Sequence, residues 1–179
     1  IAIPLLSRLM PTAGNTGKLR AAQTLIRSVS SLYSGKTVRL LMDSWYMRGD
    51  LILAMLAQEI DVIGQVRHDT RLYDMPATPT KKQRGRPAKY GKQVTESRVN
   101  RMATTEATLF LYGKNQRLRY RHKVVLARFI KGAKVGAVWC EFYDERNEKW
   151  NKTRLLLSTS SELSAEEIIA YGKSSYGPN

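Results

Sequence analysis

Between residues 18 and 66 the spacing of apolar side chains switches three times, and that alternation restricts the chain to few architectures. From residue 18 to 33 the apolar residues Leu19, Ala22, Ile26, Val29 and Tyr33 fall three or four apart, the period of an amphipathic helix, with Asn15 or Thr16 as its cap. Ser34-Gly35 ends it. The run TVRLLM at 37–42 then has the length and apolar content of a buried strand. A second helical stretch follows at about 46–58, with Trp45, Ile52, Met55 and Leu56 on one face, and a short apolar strand comes next at 62–66. IAIPLL at 1–6 reads as a strand or strand end. The order strand–helix–strand–helix–strand predicts an α/β sheet with helical crossovers.

Beyond residue 73 the pattern changes. Pro76, Pro79 and Pro87 with several basic residues make 74–92 an extended loop. Strands are expected at about 107–112, 121–130, 135–143 and 153–158, with a tight turn at 131–134 and a polar one at 144–149. Val138, Cys140 and Phe142 alternate with Trp139 and Glu141, as in a half-buried strand. Ser164-Ala-Glu-Glu167 is a capping box that opens a helix at 165–173. The expected organisation is therefore an α/β core at 1–73, a basic loop and β-rich insertion at 74–158, and a return to the core at 159–179.

Charge narrows the partner. The chain carries a formal net charge of +15. Residues 64–134 hold 18 lysines and arginines against four acids (Asp69, Asp74, Glu96, Glu106), which is nearly the whole excess. A continuous cationic stretch favours a polyanion, because each neutralised phosphate releases a condensed counterion. A membrane surface would call for a basic amphipathic helix, which this stretch lacks, and no apolar run approaches the roughly 20 residues needed to span a bilayer. Cys140 is the only cysteine, so no internal disulfide framework exists, in keeping with a reducing cytoplasm. The opening IAIPLLSRLM has neither an initiator Met nor a basic signal-peptide region, so an internal piece of a longer protein is expected.

Three groups of residues carry the candidate chemistry. Asp43 follows the apolar run 38–42 directly, where strand ends project side chains into a crevice. It reads either as a metal ligand or as a helix cap accepting backbone N–H bonds from Tyr46 or its neighbour. The loop KKQRGRPAKYGK offers Lys81, Lys82, Arg84, Arg86, Lys89 and Lys92. Its Arg-Gly-Arg-Pro core is similar to an AT-hook, in which two arginines lie along a narrow minor groove. A solvated linker is the alternative. Arg117, Arg119, Arg121 and Lys123, at spacing two, would line one face of a strand, as a phosphate-tracking stripe or an ordinary charged outer face. His68 and His122 have no second ligand at metal spacing and read as surface or DNA-contact residues. Tyr90 reads as a base-stacking or a turn residue, and Trp139 and Trp150 as sheet aromatics.

Four separated segments, LLMDSWYMRGDLI, VIGQVRHDTRLYD, KKQRGRPAKYGK and LLLSTSSELSAEEIIAYGK, together resemble DDE transposases of bacterial insertion sequences, in order, from about Ile3 to Lys173. The resemblance implies an RNase H-like α/β core interrupted by a β-rich insertion. It also implies DNA cleavage and strand transfer on transposon ends and target DNA by two divalent metals, Mg²⁺ or Mn²⁺, held by three acids. Asp43, in Asp-Ser-Trp-Tyr, would be the second acid and a metal ligand. An oligomeric, nucleoid-associated parent in the bacterial cytoplasm is implied as well.

The other two acids do not match. In the family the first Asp precedes the segment corresponding to IAIPLL, and residues 1–42 contain no Asp or Glu. The last should close Tyr-x-x-Arg-x-x-x-Glu; counted from Tyr171, the Arg position is Ser174 and the Glu position is Pro178. Glu166 and Glu167 lie in the first turn of the last helix, where acids favour the helix dipole. The expectation is an inactive transposase fragment that lacks the family's two opening strands. The alternative is a non-catalytic DNA-binding module derived from a transposase.

Overall fold

The computed structural model describes residues 15–77, 85–111 and 113–174; the strand expected at 1–6 lies outside them. Helix α1 (Asn15–Ser28) carries the three-four pattern but gives way to a 3-10 turn at Ser30–Tyr33. The Tyr33 hydroxyl donates to the Ile26 carbonyl at 3.1 Å and folds that turn back on the helix. Strands β1 (Val38–Met42) and β2 (Ile60–Val66) pair in parallel, from Val38 opposite Ile60 to Met42 opposite Gly64. Parallel neighbours need a crossover. Helix α2 (Gly49–Leu56) supplies it, burying Leu51, Ile52 and Met55. It starts three residues later than its apolar pattern suggests, because residues 43–46 form a separate turn in which Tyr46 N–H donates to the Asp43 carbonyl at 2.9 Å.

The remaining elements are β3 (Leu72–Tyr73), α3 (Glu96–Asn100), β4 (Thr105–Leu111), β5 (Lys114–Ala127), β6 (Ala133–Asp144), β7 (Lys149–Trp150), β8 (Arg154–Ser158) and α4 (Ala165–Ser174). All eight strands join one mixed sheet, in the order β1-β2-β8-β6-β5-β3, with β4 beside β5 and β7 beside β6. The chain is thus a mixed α/β protein. The β-rich segment continues the sheet that β1 and β2 begin, since β8 pairs directly with β2.

Each face of this sheet has its own core. Met42, Val62, Val125, Ala137, Trp139 and Leu157 face α1 and α2, with Leu51, Ile52, Met55 and Val99 packed against them. Ile63, Leu118, Val138, Cys140 and Leu156 face α4, which contributes Ile168 and Ile169. Central position explains why β6 departs from the half-buried pattern: both of its alternating sets are buried, Trp139 and Glu141 included. Each apolar side chain fully buried here is worth about 1.5–3 kcal/mol.

The capping box forms as its sequence suggests. Ser164 N–H donates to the Glu167 carboxylate at 2.9 Å, and Glu167 N–H donates to Ser164 Oγ at 3.2 Å. Gly64 shapes the region around Asp43. A Cβ there would lie 2.4 Å from the Met42 carbonyl oxygen and 2.7 Å from Met47 Sδ. Only glycine lets the segment after β1 fold down over β2.

Candidate functional site

Asp43 is exposed at the carboxyl end of β1. Its Oδ1 accepts hydrogen bonds from the Ser44 hydroxyl and the Trp45 N–H, both at 3.0 Å. This is an Asx turn, in which an aspartate oxygen imitates a backbone carbonyl and fixes the next two residues. The expected cap role therefore takes a different form. Asp43 closes a turn ahead of α2, and the cap position of α2 is Arg48, which makes no side-chain capping bond. Trp45 and Tyr46 meet edge to face with ring centroids 4.9 Å apart, and Lys18 Nζ lies 5.7 Å from the Trp45 ring. Aromatic packing and the Asx turn together hold the carboxylate in place.

The acids of α4 are occupied elsewhere. The Tyr120 hydroxyl donates to Glu166 Oε1 at 3.3 Å. Hydrogen bonds from the Ser164 N–H and hydroxyl hold the Glu167 carboxyl below its ordinary pKa. Among the described residues no three His, Cys, Asp or Glu side chains gather into a group able to hold a metal ion. A magnesium site normally takes one or two carboxylates plus phosphate and water oxygens, and a two-metal centre takes more. The described residues do not fit one.

The β5 stripe is a ladder of ion pairs. Arg117 meets Glu106 at 2.9 Å, Arg119 Nε meets Glu141 Oε2 at 2.6 Å, Arg121 lies 3.6 Å from Glu141 Oε1, and Lys123 meets Asp74 at 2.7 Å. The guanidiniums of Arg117 and Arg119 also stack over the Trp150 ring, at 5.4 and 4.5 Å from its centroid. These side chains sit on the same face as Trp139, and the middle of the ladder is withdrawn from water, with Arg121 13% exposed and Glu141 11%, while Arg117 and Glu106 at its end are exposed. Burial pushes the Glu141 carboxyl up, but hydrogen bonds from Thr153 and Arg119 and the charges of Arg119 and Arg121 outweigh it and hold it below the ordinary range. Asp74 behaves alike: burial raises it, while Lys123 and Arg98 together bring it lower. Glu106 holds the Arg117 guanidinium above its ordinary value.

The basic loop is closed at its base by Asp74. Asp74 N–H donates to the Lys92 carbonyl and Gly91 N–H donates to the Asp74 carbonyl, both at 2.9 Å. Arg98 donates to Asp74 Oδ2 at 2.6 Å and locks the junction. Arg86, Lys89 and Lys92 are exposed and meet no acid among the described residues; Lys81, Lys82 and Arg84 lie outside them. Tyr90 serves the fold. Its ring lies 5.0 Å from that of Tyr73, and a Cβ on Gly132 would come within 3.0 Å of it. His68 is exposed in the turn after β2, while His122 is half-buried and burial lowers its pKa.

Two functional partners escaped sequence reasoning, Asp74 and Glu141. The signal for Glu141 lies in hairpin register. Pairing Ala127 with Ala133 across the turn at residues 128–132 brings Glu141 opposite Arg119.

The sequence profile of a family described as DDE superfamily endonuclease matches residues 10–123, from ahead of α1 to Lys123 in β5. The chain belongs to this family. The match takes in Asp43, the basic loop and the whole stripe, so this is a DDE transposase-type domain. No curated protein matches the chain. DDE endonucleases act on DNA, typically with a divalent metal. No helix among the described residues is long and apolar enough to cross a membrane.

Proposed function

We propose that the chain is the DNA-handling part of a bacterial insertion-sequence transposase, with an RNase H-like core interrupted by the β-rich segment. The parent activity is metal-dependent DNA cleavage and strand transfer, performed by an oligomer in the nucleoid. One observation carries the reading: Asp43 stands at the end of a strand paired in parallel with β2, in an Asp-Ser-Trp-Tyr turn fixed by its own carboxylate. The family match supports it.

In this reading Asp43 is one of three metal-binding acids, and the described residues do not by themselves assemble a centre for Mg²⁺ or Mn²⁺. Residues 74–92 and the surface around them hold DNA through phosphate contacts from Lys81, Lys82, Arg84, Arg86, Lys89 and Lys92; of the described ones, Arg86, Lys89 and Lys92 are exposed and meet no acid among the described residues. Arg117, Arg119, Arg121 and Lys123 contribute less, because each is already engaged by an acid, Glu106, Glu141 or Asp74. Such contacts set register and affinity and carry no sequence information of their own.

A nicking assay tests this. The chain with Mg²⁺ or Mn²⁺ and supercoiled plasmid is expected to bind without nicking. Metal-dependent nicking that Asp43→Ala abolishes would overturn the incomplete site. The lack of a carboxylate cluster among the described residues also suits a DNA-binding module derived from a transposase. The flanking genomic DNA separates the two readings. An acid-bearing strand encoded upstream and Tyr-x-x-Arg-x-x-x-Glu downstream in any frame mark a broken transposase, whereas intact start and stop signals with no such remnants mark a module.

A further inference from the structure

A third set of cations, outside both the loop and the β5 stripe, gathers around a cleft of about 560 Å³ beside the Asp43 turn. Arg48, Arg67, Arg71 and Arg128 line it over an apolar floor that includes Met47 and Phe129, and no carboxylate lines it. The backbone brings these arginines together. A Cβ on Gly49 would lie 2.4 Å from the Phe129 carbonyl oxygen, so the start of α2 is pressed against the 3-10 turn Arg128–Ile130. Arg128 N–H donates to the Arg71 carbonyl at 3.4 Å, which ties that turn to the strand-end segment after β2.

The four guanidiniums differ in how far they are already engaged. Arg67 is held by both oxygens of Asp69, at 3.1 and 3.0 Å, and Arg48 Nε donates to the Trp45 carbonyl at 3.2 Å. Arg71 and Arg128 are exposed and have no ion-pair partner among the described residues. Asp69 compensates Arg67 alone, and gathering the remaining arginines without an acid is unfavourable, which an anion relieves. Guanidinium forks match the paired oxygens of a phosphate. The hydroxyls of Ser44 and Thr70, also in the lining, already donate to Asp43 and to the Arg67 carbonyl, which leaves phosphate recognition as the dominant chemistry.

We propose that this cleft binds the phosphodiester backbone of DNA. Arg71 and Arg128 are the anchors and Arg48 a third contact, with the sugar against the apolar floor. Because Ser44 lines the cleft and bonds Asp43, a strand seated there runs beside the Asp43 turn. The proposal rests on the reading of the chain as a DNA-handling domain, and names a site that reading does not use.

The test is duplex binding by the 179-residue chain at 50 and 200 mM salt, with Arg71→Gln/Arg128→Gln and, separately, Arg86→Ala/Lys89→Ala/Lys92→Ala. Losing two phosphate contacts makes the salt slope shallower by roughly two, so the affinity ratio between the two salt concentrations shrinks about tenfold. Phenylglyoxal modification read by mass spectrometry gives a second measure that needs no variant. Arg71 and Arg128 are expected to react in the free chain and to be protected by duplex. An unchanged slope with both arginines unprotected, while the loop variant still weakens binding, overturns the cleft and leaves the DNA reading standing. Protection by inorganic phosphate but not by duplex overturns it as well. A parent chain that binds no duplex even at 50 mM salt removes the DNA reading, and the cleft proposal with it.

Discussion

Along β5, Arg117, Arg119, Arg121 and Lys123 meet Glu106, Glu141 and Asp74, and two of them stack on Trp150. In the loop closed by Asp74 and Lys92, Arg86, Lys89 and Lys92 meet no acid among the described residues. In the sequence these two regions look equally cationic. The sheet separates them, because a strand receives its neighbours from distant sequence, acids included, whereas the described cations of the loop are exposed to solvent. Lysines and arginines in a strand therefore say little about free charge until the facing strand is known.

The largest expected effect tests the matched side. Glu141 is a carboxylate shared by two arginines in a setting with little water, and removing one partner of such a group leaves uncompensated charge. Glu141→Ala is expected to cost about 3 kcal/mol, lowering Tm by roughly 6–12 °C. Differential scanning fluorimetry measures this. A cycle with Arg119→Ala should show strong coupling, and a Tm shift below a degree would mean that the stripe is solvated after all.

On binding, the order reverses. Arg86→Ala/Lys89→Ala/Lys92→Ala is expected to reduce the salt slope of DNA affinity by roughly three, with Tm unchanged, whereas Arg117→Ala should change the slope by less than about one. Equal slopes from the two sets would erase the distinction between the regions.

How much of this was legible follows from range. The capping box at Ser164 and the strands expected at 37–42 and 62–66 are local patterns, and the structure forms each of them, the strands as Val38–Met42 and Ile60–Val66. The start of α2 moved because Asp43, a good turn former, and the Tyr46 N–H close their own turn first. Helix α3 spans five residues and β3 two, too short for periodicity to register. Of the acids that pair with the stripe, Glu141 required register between β5 and β6, and Asp74 required a contact to Lys123, both long-range. The arginine cleft draws on residues 44–49, 66–71 and 128–129 and has no local signature.

Acid titration sharpens the comparison with a smaller effect. Glu141 and Asp74 are held below their ordinary values of 4.5 and 3.8, so the folded chain binds fewer protons than the unfolded one. Their contribution is fully present above those values and is lost as pH falls through the lowered folded pKa. Burial lowers His122 from 6.5, so its contribution also declines as pH falls, beginning at higher pH. The urea midpoint is expected to fall below about pH 6.5 and more steeply below about 4.5. Glu141→Gln should remove part of the acid limb only, and neutralising the loop cations should leave the curve unchanged.

Asp43 gives the smallest stability effect. Oδ1 accepts two local hydrogen bonds in an exposed turn, so Asp43→Ala is expected to cost only about 0.5–1.5 kcal/mol. Asn retains an acceptor oxygen and suits the same turn, so Asp43→Asn should restore most of that loss while removing the charge. A turn former and a metal ligand part at this substitution. If Mg²⁺ raises the Tm of the parent chain and not of Asp43→Asn, the carboxylate holds an ion although no acid cluster forms among the described residues. If the two respond identically, Asp43 in this chain acts through its turn alone.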